Sequence, residues 1–162
     1  MADTKLAIYD LSQGLCKQMS MALLGKQLDG IWHTGVLVYD LEIYYGSSGI
    51  IKSTPFTTNL GPPLKVENMG KTKKSLKELM NFLEQVSKDK YKPRSYNVLL
   101  NNCNSFSSDL CLWLIGKRIP EHITNLPSDV MNSPMGAMIT PFLEQAGNII
   151  SNATAQRNNK TK

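Results

Sequence analysis

Apolar and polar positions alternate in three places along the first half of the chain, and the period changes in the second half. Lys5 to Leu11 reads as a strand, followed by a broken helical pattern over 12–28 through Leu15, Met19, Leu23 and Leu24, interrupted by Gly14 and Gly25. Ile31 to Tyr39 is rich in β-branched and aromatic residues and predicts a second strand. Asp40-Leu41 is expected to turn the chain so that Glu42 to Tyr45 returns as a hairpin partner ending at Gly46-Ser47-Ser48-Gly49. Residues 52–70 read as loop and short strand, punctuated by Gly61-Pro62-Pro63.

Beyond residue 75 the period is helical. Ser75-Leu76-Lys77-Glu78 has the form of a capping box, and Leu76, Leu79, Met80, Leu83 and Val86 fall on one face of a helix ending near Lys90. Phe106, Leu110, Trp113 and Leu114 form a second stripe on a helix that starts near Cys103 and stops at Gly116. Ser128-Asp129 opens a short turn of helix. Met135, Met138, Ile139, Phe142, Leu143, Ala146, Ile149 and Ile150 make a third stripe, read as core packing.

Length and composition set bounds on this pattern. With 162 residues, 41% hydrophobic and 19% charged, the chain suits one domain with a real core. The domain is expected over 5–150. The net charge of +5 is misleading, because residues 151–162 hold Arg157, Lys160 and Lys162 and no acid, which leaves +2 for the rest. That segment lacks aromatic and large aliphatic residues and reads as a disordered basic tail. Lys71, Lys73, Lys74 and Lys77 cluster without interleaved aromatics, which suits a solvated helix start better than nucleic-acid binding.

Three cysteines (Cys16, Cys103, Cys111) and two histidines (His33, His122) limit the chemistry. An odd cysteine count does not suit a disulfide-stapled secreted scaffold. Five scattered Cys and His residues without a C-x-x-C do not suit a zinc site, so neither metal nor cofactor is expected. No apolar run of membrane-spanning length occurs. The opening residues lack the pattern of a signal peptide, and the expected location is the reducing cytoplasm and nucleus.

Six Cys–His pairs are possible, and context separates them. Cys103 sits in Asn101-Asn102-Cys103-Asn104, at the predicted start of a helix, where the dipole and unpaired N–H groups favour thiolate and could hold an oxyanion. Cys111, two turns on, reads as a small buried hydrophobe, and Cys16 is ambiguous. His33 lies early in a strand among glycines. Alternation places it with Gly35, Leu37 and Tyr39 on one face, and Trp32, Thr34, Val36 and Val38 on the other. His33 could face a cleft or be a hydrogen-bonded structural histidine. His122 belongs to a loop-like stretch and reads as a surface residue. A Cys103–His33 pair would serve nucleophilic catalysis, the imidazole taking the thiol proton and returning it to the leaving amine.

Several motifs in order resemble the PPPDE family of peptidases, and within it the smaller type of desumoylating isopeptidase. They are Tyr9-Asp10-Leu11-Ser12-x-Gly14, the run from Leu24-Gly25-Lys26-Gln27-Leu28 to Gly30-Ile31-Trp32-His33-Thr34, Gly46-Ser47-x-Gly49-Ile50 and Leu60-Gly61-Pro62-Pro63. Tyr96-Asn97, Asn102-Cys103-Asn104-x-Phe106-Ser107, Ile119-Pro120 and Ile123-Thr124-x-Leu126-Pro127-Ser128 continue the series. The resemblance implies an α+β, circularly permuted papain-like cysteine peptidase fold, with a small antiparallel sheet packed with helices. It implies a catalytic dyad at His33 and Cys103, the pair that local context also favours. It further implies release of the ubiquitin-like modifier SUMO from lysines of target proteins, and a homodimer. Two other readings stand beside it: a thioesterase that removes palmitoyl groups from cysteines, for which the loops before His33 offer no evident lipid slot, and a binding module without turnover. Asn97 and Gln27 are candidates for a second oxyanion donor.

Overall fold

The computed structural model describes residues 1–132, so the third apolar stripe and the tail read from the sequence lie outside the described residues. Eleven elements follow one another: β1 (Ala2–Asp10), α1 (Leu15–Leu24), β2 (Trp32–Val38), β3 (Leu41–Gly46), β4 (Gly49–Ser53), β5 (Lys65–Thr72), α2 (Leu76–Ser87), a 3-10 turn at Pro93–Ser95, α3 (Cys103–Ile115), α4 (Glu121–Thr124) and α5 (Leu126–Met131). The fold is α+β. Its sheet has five strands in the order β4-β3-β2-β1-β5, and every neighbouring pair is antiparallel.

The β2–β3 hairpin turns on Tyr39 and Asp40, at φ 53° and 57°, rather than on Asp40-Leu41. Two consecutive left-handed residues match the right-handed strand twist, and Leu41 is thereby freed to begin β3. The segment 52–70, read as loop and short strand, holds the end of β4 and most of β5. Their signal was weak because both are edge strands, which need only one apolar face or none. Lys71 lies within β5 and pairs with Asp3, so the lysine cluster is not one helix start.

One sheet face carries Leu6, Ile8, Val36, Val38, Ile43 and Tyr45, and α3 packs on it through Phe106, Leu110 and Leu114. Leu79 and Leu83 of α2 close this core from one side. Each buried side chain of this size contributes roughly 1.5–3 kcal/mol. The Ser75–Glu78 capping box forms as the sequence predicts. By contrast, Leu15 and Met19 of α1 are about half exposed, so these two members of the broken stripe do not enter the core. All three cysteines are free thiols. Among the described residues no helix is long and apolar enough to cross a membrane, and no cluster of side chains suits a metal ion.

Candidate active site

The site is built where α3 begins. Asn102 caps the helix, its side-chain oxygen accepting from the N–H groups of Asn104 (2.9 Å) and Ser105 (3.0 Å). Ser105 returns a contact to the Asn102 N–H, so the cap is reciprocal. The Asn102 amide also donates to the Val98 carbonyl at 2.8 Å and ties the preceding loop to the helix. This fixes Cys103 as the first helical residue, at the positive end of a thirteen-residue helix.

Asn104 joins that helix start to β2. Its amide donates to the Trp32 carbonyl (3.0 Å), and its oxygen accepts from the Thr34 hydroxyl (2.9 Å). It therefore grips β2 on both sides of His33. The same oxygen lies 3.7 Å from the Cys103 sulfur. Ser107, one turn later, donates to the Thr34 carbonyl. No reading of the sequence singled out Asn104. A polar residue directly after a helix-start cysteine, on a helix that packs against a strand, was the available signal.

A narrow cleft of about 40 Å³ opens onto Cys103, lined by Trp32, Tyr96, Val98, Leu126 and Pro127 among others. That is space for about three water molecules. Leu11 and Ile31 complete one wall, and Asp10 sets both. Its carboxylate accepts from the N–H groups of Ser12 (3.0 Å), Gly14 (2.9 Å) and Ile31 (3.0 Å). Burial pushes the Asp10 carboxyl up, but the Ser12, Ile31 and Gly14 hydrogen bonds outweigh it and leave its pKa lowered.

The sulfur itself is buried, with Cys103 4% exposed. Burial pushes the thiol up to about 11, although the N–H groups of Thr34, Asn104 and Cys103 itself act the other way. The sequence-based expectation of a lowered pKa is thus corrected. A helix dipole acts within its first turn, but here desolvation of the anion is the larger effect. The free thiol is protonated at neutral pH.

His33 lies at the same end of β2, one peptide unit from the Thr34 N–H that faces the sulfur. Its side chain is fully buried and occupies the other sheet face. The ring packs against Tyr9 (5.8 Å between centroids) and edge-on to Tyr44 (5.4 Å). Neither ring nitrogen has a hydrogen-bond partner. No hydrogen bond therefore joins His33 to Cys103, and burial lowers the imidazole pKa to about 3. Both open readings of His33 are modified: it neither faces an open cleft nor makes the bonds of a structural histidine. The β2–β3 ladder runs only from Val36 to Val38, so the two strands part beside His33.

The remaining candidates separate cleanly. Cys111 is fully buried in the core, its thiol pushed up to about 12 by burial. Cys16 is half-buried beside Leu28 and Leu126. His122 is exposed as expected, with its ring edge-on to Trp32 at 6.4 Å. The Gln27 amide is occupied by the Lys17 and Leu28 carbonyls. Asn97 caps its own loop, accepting from Leu99 and Leu100. Neither lines the cleft at Cys103; the N–H groups of Thr34, Asn104 and Cys103 itself act on the sulfur.

Residues 2–144 match the model of the "PPPDE putative peptidase domain". Over 140 residues, the chain is 42% identical to desumoylating isopeptidase 1 of Rattus norvegicus and 40% identical to that of Homo sapiens. The protein of the same name from Xenopus laevis is 39% identical. In each case the alignment covers 86% of this chain and 83% of the relative. A match across most of the domain, together with a buried cysteine at a capped helix start beside the histidine strand, places the chain in the PPPDE peptidase family.

Proposed function

We propose that this protein is a cysteine isopeptidase that releases SUMO from lysines of modified proteins, with Cys103 as nucleophile and His33 as base and then acid. One observation carries the reading. Cys103 stands first on a capped helix, three N–H groups surround its sulfur, and a cleft opens on it. The relatives named as desumoylating isopeptidases support the choice of substrate.

In the reaction the Cys103 sulfur attacks the isopeptide carbonyl, and the thiol proton passes to His33. The surrounding N–H groups hold the oxyanion. Collapse breaks the C–N bond, His33 protonates the departing lysine amine, and the modifier stays on sulfur as a thioester. Water, deprotonated by His33, then releases it. The two residues are not hydrogen-bonded in the resting site, and such contacts often tighten only in the complex. Thioester cleavage would run through the same acyl-enzyme on Cys103. A binding module without turnover would not need the cysteine in this setting.

The circular permutation of the papain-like fold, the homodimer and a place in cytoplasm and nucleus belong to the same reading. Hydrolysis of a SUMO–lysine conjugate, beside a palmitoyl-thioester reporter, tests it. We expect Cys103→Ser to lose about a thousandfold or more and His33→Ala about 10²–10⁴-fold on the conjugate. Wild-type rates in either variant, or faster turnover of the palmitoyl reporter, overturn it.

A further inference from the structure

The sheet face that carries His33 holds a second buried polar group that the reaction above does not use. Glu42 is fully buried on β3, in a run of otherwise apolar and aromatic residues. One carboxylate oxygen accepts from the Tyr9 hydroxyl at 2.7 Å, and the other from the Phe56 N–H at 2.7 Å. Phe56 adopts φ 61° there, a left-handed conformation that a bulky side chain rarely takes. The carboxylate lies flat against Gly35, where an added Cβ would stand 2.7 Å from Oε1 and 2.9 Å from Cγ. Gly35 is two residues from His33 on the same face, and Tyr9 touches both Glu42 and the His33 ring.

We propose that Glu42 and Tyr9 are positioning residues for His33, the buried carboxylate supplying the negative charge against which the imidazole holds its proton during the reaction. The inference rests on the assignment of His33 as base. An imidazolium formed in a buried site needs a nearby anion, since desolvation alone opposes its charge. The titratable groups in ring contact with His33 are Tyr9 from β1 and Tyr44 from β3, and Glu42 joins this group through its hydrogen bond with Tyr9. Lys5 lies in the same cross-strand row as Glu42, separated from it by Leu37, and its side chain is exposed. Glu42 is thus the carboxylate this face offers. Tyr9 fixes it by hydrogen bond and fixes the imidazole by ring contact, and Gly35 gives it room.

The test uses Glu42→Gln and Tyr9→Phe in the full chain, with kcat and KM on a SUMO–lysine conjugate measured across pH and folding checked by circular dichroism. Loss of the charge lowers the pKa of His33 in the complex, so the acid limb of kcat moves to lower pH while the plateau falls. Glu42→Gln is expected to lower kcat about tenfold or more, with KM within about twofold. Tyr9→Phe, which keeps the carboxylate but loosens it, should act in the same direction by about threefold. A folded Glu42→Gln with kcat within twofold of wild type overturns the proposal, and so does a fall in kcat with an unmoved acid limb. If Glu42→Gln does not fold, Tyr9→Phe decides: an unchanged kcat overturns it. A wild-type rate in His33→Ala would instead remove the base assignment beneath it.

Discussion

Cys103 and Cys111 lie two turns apart on one helix, both buried and both with thiols pushed well above their ordinary pKa. Burial and acidity do not distinguish them. Their surroundings do. Cys111 is enclosed by the core, where burial is the cause of its shift and no group opposes it. Cys103 stands at the helix start, where three N–H groups face its sulfur and a cleft reaches it. Reactivity in this protein is therefore set by what can stabilise an anion once substrate arrives, and not by a thiolate already present in the free protein.

The sharpest way to break this contrast is substitution at each site. Cys103→Ala should abolish conjugate hydrolysis, a loss of about a thousandfold or more. Cys111→Ala should keep the rate within about twofold and cost about 1 kcal/mol of stability as a small cavity opens. Equal losses in the two variants would remove the distinction. Alkylation by iodoacetamide sharpens it. Below a thiol pKa near 11 the thiolate fraction rises about tenfold per pH unit, so Cys103 labelling should climb about a hundredfold from pH 7 to pH 9. A plateau near neutrality would mean a thiolate in the resting site.

Next in size is an acid effect from the other half of the pair. Burial lowers the His33 pKa to about 3, against 6.5 for an exposed histidine. Between those values the unfolded chain binds the extra proton and the folded one does not. Stability is then lost as pH falls through this window, by about 3 kcal/mol or more over its full width. Thermal melts from pH 7 to pH 4 should show a steeper decline for wild type than for His33→Asn; parallel curves would contradict the buried neutral imidazole. The smallest effect concerns the helix start. Asn102→Ala removes the two capping bonds accepted from Asn104 and Ser105 N–H and the one donated to Val98, and should cost about 1–2 kcal/mol, read as a lower denaturation midpoint, with activity falling more than in Cys111→Ala.

Much of this was legible in the sequence for identifiable reasons. The Ser75–Glu78 cap, the Phe106–Leu114 stripe and the alternation of β2 are local patterns, and local patterns survive folding. The position of Cys103 followed from the same logic. Its protonation state did not, because desolvation depends on Trp32, Tyr96, Val98 and Leu126, which come from three separate segments. The orientation of His33 was readable as a face but not as a burial, since Tyr9 and Tyr44 reach it from two other strands. β4 and β5 were obscured by their edge positions, and the exposure of Leu15 and Met19 shows that an apolar period is not in itself a core. Asn104 and Glu42 work through partners more than 30 residues away, and a motif around either residue does not reveal such a partner.

The central claim is that Cys103, and not Cys111 or Cys16, attacks the carbonyl joined to the modifier. It is tested most directly by incubating the full chain with SUMO carrying a C-terminal electrophile and mapping the adduct by peptide mass. The account predicts one adduct, on Cys103, absent in Cys103→Ala and slowed in His33→Ala. Labelling of Cys16 or Cys111, or unreduced labelling in Cys103→Ala, would contradict it.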